Sequence, residues 1–307
     1  MTSIWNETGS DSNYEHARQA NGLAELREWM DQQYYAEGLK DYLDDNFLSE
    51  LRNNGFNARL WELALAAKLK VTGLRMIPTH GVGPDFCIEL PGGGRAWIEA
   101  VHTGADDAQA QEWMDRLQAK GGEFDTQIDE VVLRFSSSLY GKAVKINQKY
   151  LSTVGADDFM LIGVASLDIH LMWTGLDTFM KAVYPIGAPV VHFTTDGSKL
   201  DPAVKRPTHA PQPTAVKKSG VEVKKEFLYP GDEFPFIDGV LYSEASDIQQ
   251  LRGTSSTSFN ETTAALHIFG SHSGKQLPGA LTKLFYNHVL TEGDNMISVE
   301  MIEPQSP

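Results

Sequence analysis

Two carboxylates, Asp85 and Glu99, have the chemistry and the spacing of a site for a divalent cation. They lie in residues 83–102, where two runs of alternating apolar residues flank the glycine-rich stretch 91–94. Because strand side chains alternate between faces, such a pattern predicts a β-hairpin with each acid on a defined side. A hairpin that brings the acids together offers the oxygen ligands that hard cations prefer. The alternative is a surface hairpin with two solvated acids.

The composition limits the classes of function. The chain has 307 residues and a formal net charge of −15, which disfavours tight, non-specific DNA binding but does not exclude a local basic face. Its single cysteine, Cys87, excludes an internal disulfide. No apolar run reaches the roughly 18 residues of a membrane span, so we expect no membrane partner. The first residues lack the features of a secretory signal, and we therefore expect a cytoplasmic location.

The elements before the hairpin are predicted to be helical. Residues 1–22 are polar and are expected to form a poorly ordered arm, whereas 22–52 show helical spacing with a solvated acidic face. Residues 57–70 predict a strong helix, with Glu62 beside its apolar face. An acid in that position is more often exposed to solvent. A strand at 74–79 then leads into the hairpin.

The elements after the hairpin complete a mixed α/β pattern. A short apolar run at 131–135 suggests the end of a strand, and the serines at 136–138 offer an N-cap for a helix that reaches about residue 150. Residues 158–165 read as a buried strand, and 176–183 as a short helix. Three further strands are expected at the edges of the sheet, at 236–243, 264–269 and 297–302.

Residues 196–225 differ in composition, because they are rich in proline and lysine. The prolines argue against regular structure, so we expect a surface loop. In an acidic protein this stretch is also the best candidate for contact with a phosphate backbone. The basic residues proposed for that contact are Lys205, Arg206, Lys217 and Lys218.

Three features together resemble the PD-(D/E)XK nuclease superfamily. They are the helix R-L-W-E-L-A-L-A-A-K-L that contains Glu62, the pair Pro84-Asp85 followed fourteen positions later by Glu99, and the segment S-S-S-L-Y-G-K-A before an apolar strand. The similarity covers residues 57–165 and extends weakly to about 270.

The resemblance implies an α/β fold with a restriction-endonuclease-like αβββαβ core and a mixed central sheet. Residues 1–56 would then form an N-terminal helical extension, and the nuclease-like domain would span 57–307 and end in additional strands. It also implies a metal-dependent nuclease that acts on nucleic acid, and of the two substrates DNA is favoured over RNA. Asp85 and Glu99 would ligate Mg²⁺ or Mn²⁺, and Glu62 would complete the site directly or through water.

One position departs from the family pattern. The lysine of the (D/E)-x-K motif falls on Val101, which cannot orient water or stabilise a charged phosphate. Lys142, on the following helix, is the first candidate to supply the missing positive charge, whereas His102 and Lys68 are less well placed. If no residue substitutes, the chain is a catalytically silent binding or structural module.

Other chemistries find less support in the sequence. Asp85 and Glu99 could serve as the paired carboxylates of a glycosidase, but the order of elements fits a nuclease better. No H-E-x-x-H, phosphate-binding glycine loop or G-x-S-x-G motif occurs.

Overall fold

A ten-stranded mixed sheet forms the centre of the molecule in this computed structural model. The structure describes residues 3–104, 115, 128–166, 175–190, 208–217, 219–243, 266–293 and 296–304. The strands are β1 (Met76–Ile77), β2 (Phe86–Glu89), β3 (Arg95–His102), β4 (Phe159–Ala165), β5 (Ile186–Val190), β6 (Thr208–Pro211), β7 (Thr214–Val216), β8 (Glu222–Lys224), β9 (Gly239–Ser243), β10 (Leu266–Gly270), β11 (Tyr286–Gly293) and β12 (Met296–Ile302).

Helices flank this sheet. They are α1 (Ser12–Gln19), α2 (Ala24–Asp31), α3 (Phe47–Asn53), α4 (Phe56–Val71), α5 (Ile128–Lys149), α6 (Leu176–Val183) and α7 (Gly279–Thr282). Short 3-10 or π segments lie at Ile4–Asn6, Asn21–Leu23, Gln32–Ala36 and Leu39–Tyr42. No helix within the described ranges is long and apolar enough to cross a bilayer. The predicted mixed α/β class is confirmed, as are the strand now seen as β4 and the helix α6.

The strand order of the large sheet is β1-β2-β3-β4-β9-β10-β11-β12-β6-β5, and β7 pairs with β8 in a second, two-stranded sheet. Strands β3, β4 and β9 run parallel to one another, whereas β1, β2 and β3 are antiparallel. The expectation that the three C-terminal strands lie at the edges is wrong, because β9 and β10 occupy the middle of the sheet and β12 pairs with β11 on one side and β6 on the other. The apolar side chains of β9 and β10 are buried on both faces, as a central position requires.

An apolar cluster covers each face of the sheet, and alternate side chains of β3 belong to one cluster or the other. Ile98 and Ala100 pack in the cluster that includes the N-terminal helices and α4. Trp97 and Val101 pack on the opposite face, in the cluster that includes α5 and α6. Because side chains alternate along a strand, Glu99 points to the face that α5 covers.

The N-terminal segment is part of this core, so the expectation of a poorly ordered arm is wrong. Ile4, Tyr14 and Ala17 are completely buried. One Asp11 carboxylate oxygen caps α1, and the other accepts a hydrogen bond from the backbone N–H of Phe56, at the start of α4, at 3.1 Å. A few apolar side chains in a polar segment are enough to anchor it, and an average composition does not reveal them.

Helix α5 begins earlier than the sequence pattern suggests. The expected strand at 131–135 and the expected N-cap at Ser136 are both wrong, because the helix is continuous from Ile128. The Ser136 hydroxyl donates to the carbonyl of Val132 within the helix. Short apolar runs do not distinguish strand from helix, and here the longer helical period decides. The buried face of α5 consists of Val131, Val132, Phe135, Leu139, Ala143 and Ile146.

The proline- and lysine-rich stretch is described only in part. Lys205, Arg206 and Lys218 lie outside the described residues, so their proposed contact with phosphate stays a prediction. The described portion contains β6 and the hairpin of β7 and β8, so the expected lack of regular structure is wrong there. Lys217 is exposed in the turn of that hairpin.

Replacement of Ile4 by alanine tests whether the N-terminal segment belongs to the core. We expect Ile4→Ala to lower the free energy of unfolding by about 2–4 kcal/mol, because it removes a fully buried side chain. Denaturant unfolding measures this change. Ile302→Ala is the matched control, because Ile302 is 46% exposed, and we expect a change below about 0.5 kcal/mol. Equal stability of the two variants would contradict this packing.

Candidate functional site

The predicted hairpin consists of β2 and β3, joined by a tight turn. The Leu90 N–H donates to the Gly94 carbonyl and the Gly93 N–H to the Leu90 carbonyl, both at 3.1 Å. Gly92 and Gly93 have φ of 94° and 101°, which only glycine adopts readily. The consecutive glycines therefore fix this turn, and the turn fixes the register of the two strands.

That register places the two predicted carboxylates together. Phe86 pairs with Ile98, so the next residues outward, Asp85 and Glu99, lie opposite each other. Side chains opposite each other in an antiparallel pair share a face, with Cβ atoms roughly 5 Å apart. The backbone N–H of Ala100 donates to Oδ2 of Asp85 at 2.7 Å, which holds this carboxylate at the end of the strand pair.

Two lysines of α5 meet the Glu99 carboxylate. Its side chain has no solvent exposure, and its Oε1 accepts hydrogen bonds from Lys142 Nζ at 2.9 Å and Lys145 Nζ at 2.6 Å. A buried charge is costly unless it is paired, and these ammonium groups supply the pairing. Oε2 is also buried, yet it has no hydrogen-bond partner among the described residues. One oxygen of Glu99 is therefore available to a further cation.

The electrostatic environment of Asp85 depends on the same groups. Burial and the neighbouring Glu99 charge raise the pKa of Asp85 to about 6, although Lys142 and the Ala100 N–H oppose this shift. Two carboxylates that repel each other in a partly buried pocket favour either a proton or a cation between them. This behaviour is typical of a site for a cation.

Glu62 of α4 adds a third acid. Its side chain is only 13% exposed, so the alternative of a solvated surface acid is wrong. Burial and the charge of Asp85 raise the pKa of Glu62 to about 8, against the opposing effect of Arg59. The Arg59 guanidinium contacts Oε2 of Glu62 and also pairs with Asp44 and Glu50 of the N-terminal segment. Glu62 is therefore coupled electrostatically to Asp85, but its carboxylate is already bound by an arginine.

The motif position itself and the other residues considered for the missing positive charge do not supply a cation to Asp85 or Glu99 in the described structure. Val101 lies in the apolar cluster beneath α5. Burial lowers the pKa of His102 to about 4, so the ring is neutral at pH 7. Lys68 makes no ion pair with Asp85 or Glu99 in the described structure. Sequence reasoning selected Lys142 but missed Lys145, although its spacing of three residues from Lys142 places both on one helix face.

The donor set fits a cation held by two carboxylates better than a complete protein cage. Within the described ranges, no group of three or more His, Cys, Asp and Glu side chains is arranged to hold a metal ion. Mg²⁺, however, is commonly bound by one or two carboxylates, with water and substrate phosphates completing its octahedron. The free, buried Oε2 of Glu99 and the opposing Asp85 are compatible with that arrangement.

Comparison of the chain with protein-family models, curated proteins and solved structures finds no match.

Replacement of Glu62 by glutamine tests the electrostatics of the site. The folded-state pKa of Glu62, about 8, lies above its ordinary value of 4.5, so the folded protein retains a proton that the unfolded chain loses. The free energy of unfolding should thus fall as the pH rises from about 5 to about 8. We expect Glu62→Gln to reduce that fall, as measured by denaturant unfolding in EDTA.

Glu37→Gln is the matched control, because its side chain is 42% exposed and pairs with Lys70 at the surface. It should leave the pH dependence of stability unchanged. Parallel pH profiles for the wild type and Glu62→Gln would show that burial does not disfavour the Glu62 carboxylate.

Proposed function

We propose that this protein is a metal-dependent phosphodiesterase that cleaves nucleic acid, DNA rather than RNA, on a restriction-endonuclease-like core. One observation carries the proposal. Asp85 and Glu99 lie opposite each other on a hairpin, and the Lys142 ammonium lies 2.9 Å from Glu99. The elements that bear these residues follow the order α4, β1, β2, β3, α5, β4, which agrees with the αβββαβ order of the resembled superfamily.

The carboxylates have distinct tasks in this proposal. Asp85 and the free oxygen of Glu99 would hold Mg²⁺ or Mn²⁺, and Glu62 would contact the site through water because Arg59 occupies its Oε2. A bound metal of this kind lowers the pKa of a coordinated water and stabilises charge on the scissile phosphate. The Ala100 N–H keeps Asp85 oriented for this task.

Lys142 would take the place of the motif lysine. Val101 lies on the same face of β3 as Glu99 and fills apolar space there, so the charge must come from the helix above. The Lys142 side chain is 25% exposed, so it is not sealed in the core while its ammonium contacts Glu99. A lysine in this position can stabilise the negative charge that develops during phosphoryl transfer.

A second candidate is a catalytically silent binding or structural protein on the same core. The contacts of both lysines with Glu99 favour it, because ammonium groups that neutralise this carboxylate compete with a metal. The arginine on Glu62 has the same effect on the third acid. This candidate predicts a folded protein that does not hydrolyse phosphodiesters.

Replacement of Asp85 by asparagine distinguishes the two candidates. We expect the wild type to cleave DNA in the presence of Mg²⁺ or Mn²⁺, and Asp85→Asn to reduce the rate by about a hundredfold or more because a cation ligand is lost. Gel assays on single-stranded and double-stranded DNA and RNA measure the rate. Circular dichroism checks that the variant is folded.

Glu89→Gln is the matched control, because Glu89 belongs to the same hairpin but pairs with Arg75 at the surface. It should cleave at the wild-type rate. Cleavage that persists in Asp85→Asn would place the activity elsewhere, and a wild type that cleaves no substrate with either metal would favour the silent candidate.

A further inference from the structure

We propose that the two lysines of α5 have different tasks: Lys145 positions the Glu99 carboxylate, and Lys142 is the catalytic cation that contacts the scissile phosphate. This division rests on the proposed function. It assigns a role to Lys145, which no sequence motif indicates.

The number of charges at Glu99 suggests the division. One ammonium group is enough to neutralise one buried carboxylate, yet both lysines donate to the same oxygen, Oε1. The lysines are three residues apart, so they approach Glu99 from neighbouring turns of one helix. Because Oε2 receives no hydrogen bond from the described residues, the lysines hold the carboxylate by one oxygen and leave the other for a cation.

Lys145 is the more firmly held of the two. Its ammonium lies 2.6 Å from Glu99 Oε1, against 2.9 Å for Lys142. It also lies 5.2 Å from the centre of the Tyr150 ring. A cation fixed by a carboxylate and an aromatic ring has little freedom to follow a reacting phosphate.

Among the described residues, Lys142 is held only by its contact with Glu99, and its charge lowers the pKa of Asp85. We therefore assign to it the contact with a phosphate whose oxygens would complete the coordination of a metal at Asp85 and Glu99. No aromatic ring holds its ammonium in the described structure, so the side chain can leave Glu99 when a metal and a phosphate arrive.

Separate measurements of metal binding and turnover test this division. Loss of a positive charge beside a cation site would by itself strengthen Mn²⁺ binding. We nevertheless expect Lys145→Met to weaken Mn²⁺ binding about tenfold, because Glu99 is then held by Lys142 alone, without the lysine that also contacts the Tyr150 ring. Lys145→Arg should restore most of the affinity. Isothermal titration of the full chain with Mn²⁺ alone measures these affinities without any need for cleavage.

Lys142→Met should behave in the opposite way. We expect Mn²⁺ affinity equal to or higher than that of the wild type, kcat reduced about a hundredfold and KM for DNA nearly unchanged. Lys149→Met is the matched control on the same helix, because Lys149 is exposed, and it should alter neither quantity. Thermal unfolding verifies that each variant is folded. In Lys145→Met, Lys142 can still pair with Glu99, so the buried carboxylate keeps one positive partner.

Three results would overturn the division: tighter Mn²⁺ binding by Lys145→Met, no rescue by Lys145→Arg, or equal effects of the two methionine variants. A wild type that binds no Mn²⁺ would overturn it together with the metal site. A wild type that binds Mn²⁺ but cleaves nothing would refute the proposed function and the catalytic role of Lys142, while the titrations would still decide the role of Lys145.

Discussion

The buried carboxylate of Glu99 is the interaction on which the rest of the site depends. A charge without solvent exposure is tolerated only when opposite charges and hydrogen bonds surround it. Lys142 and Lys145 satisfy one of its oxygens, and this requires α5 to cross directly over β3. Because the same helix buries a long apolar face against the sheet, packing and charge pairing select one position for it. The ionic contact is thus supported by the core rather than by a surface loop.

On the other face of the sheet, packing and ion pairing together position Glu62. Helix α4 packs over the sheet, and the indole N–H of Trp61 donates to the carbonyl of Gly163 at 3.1 Å. On this anchored helix, Arg59 binds Glu62 and, at the same time, acids of the N-terminal segment. The N-terminal residues therefore contribute to the electrostatics of the site as well as to the core. The charge balance of the site therefore includes Asp44 and Glu50, which precede α4 in the sequence.

The parts of the structure that local pattern determines were predictable from sequence. Alternation and consecutive glycines predicted the hairpin, and the hairpin register then brings Asp85 opposite Glu99. The resemblance to the nuclease superfamily also led to Lys142, which contacts Glu99. Features that depend on distant partners were not predictable: the burial of Ile4 and the central position of β9 follow from packing between elements remote in sequence. Lys145 was missed because a helical spacing of lysines normally indicates a solvated face.

A crystal structure of the protein soaked in Mn²⁺, with anomalous diffraction data, tests the central claim most directly. The account predicts one strong anomalous peak between Asp85 and Glu99, with an oxygen of each within about 2.3 Å of the metal and Lys145 still bound to Glu99. The lysine pair would then coexist with a metal site. A map without a peak at these carboxylates, with both ammonium groups still on Glu99, would contradict the account.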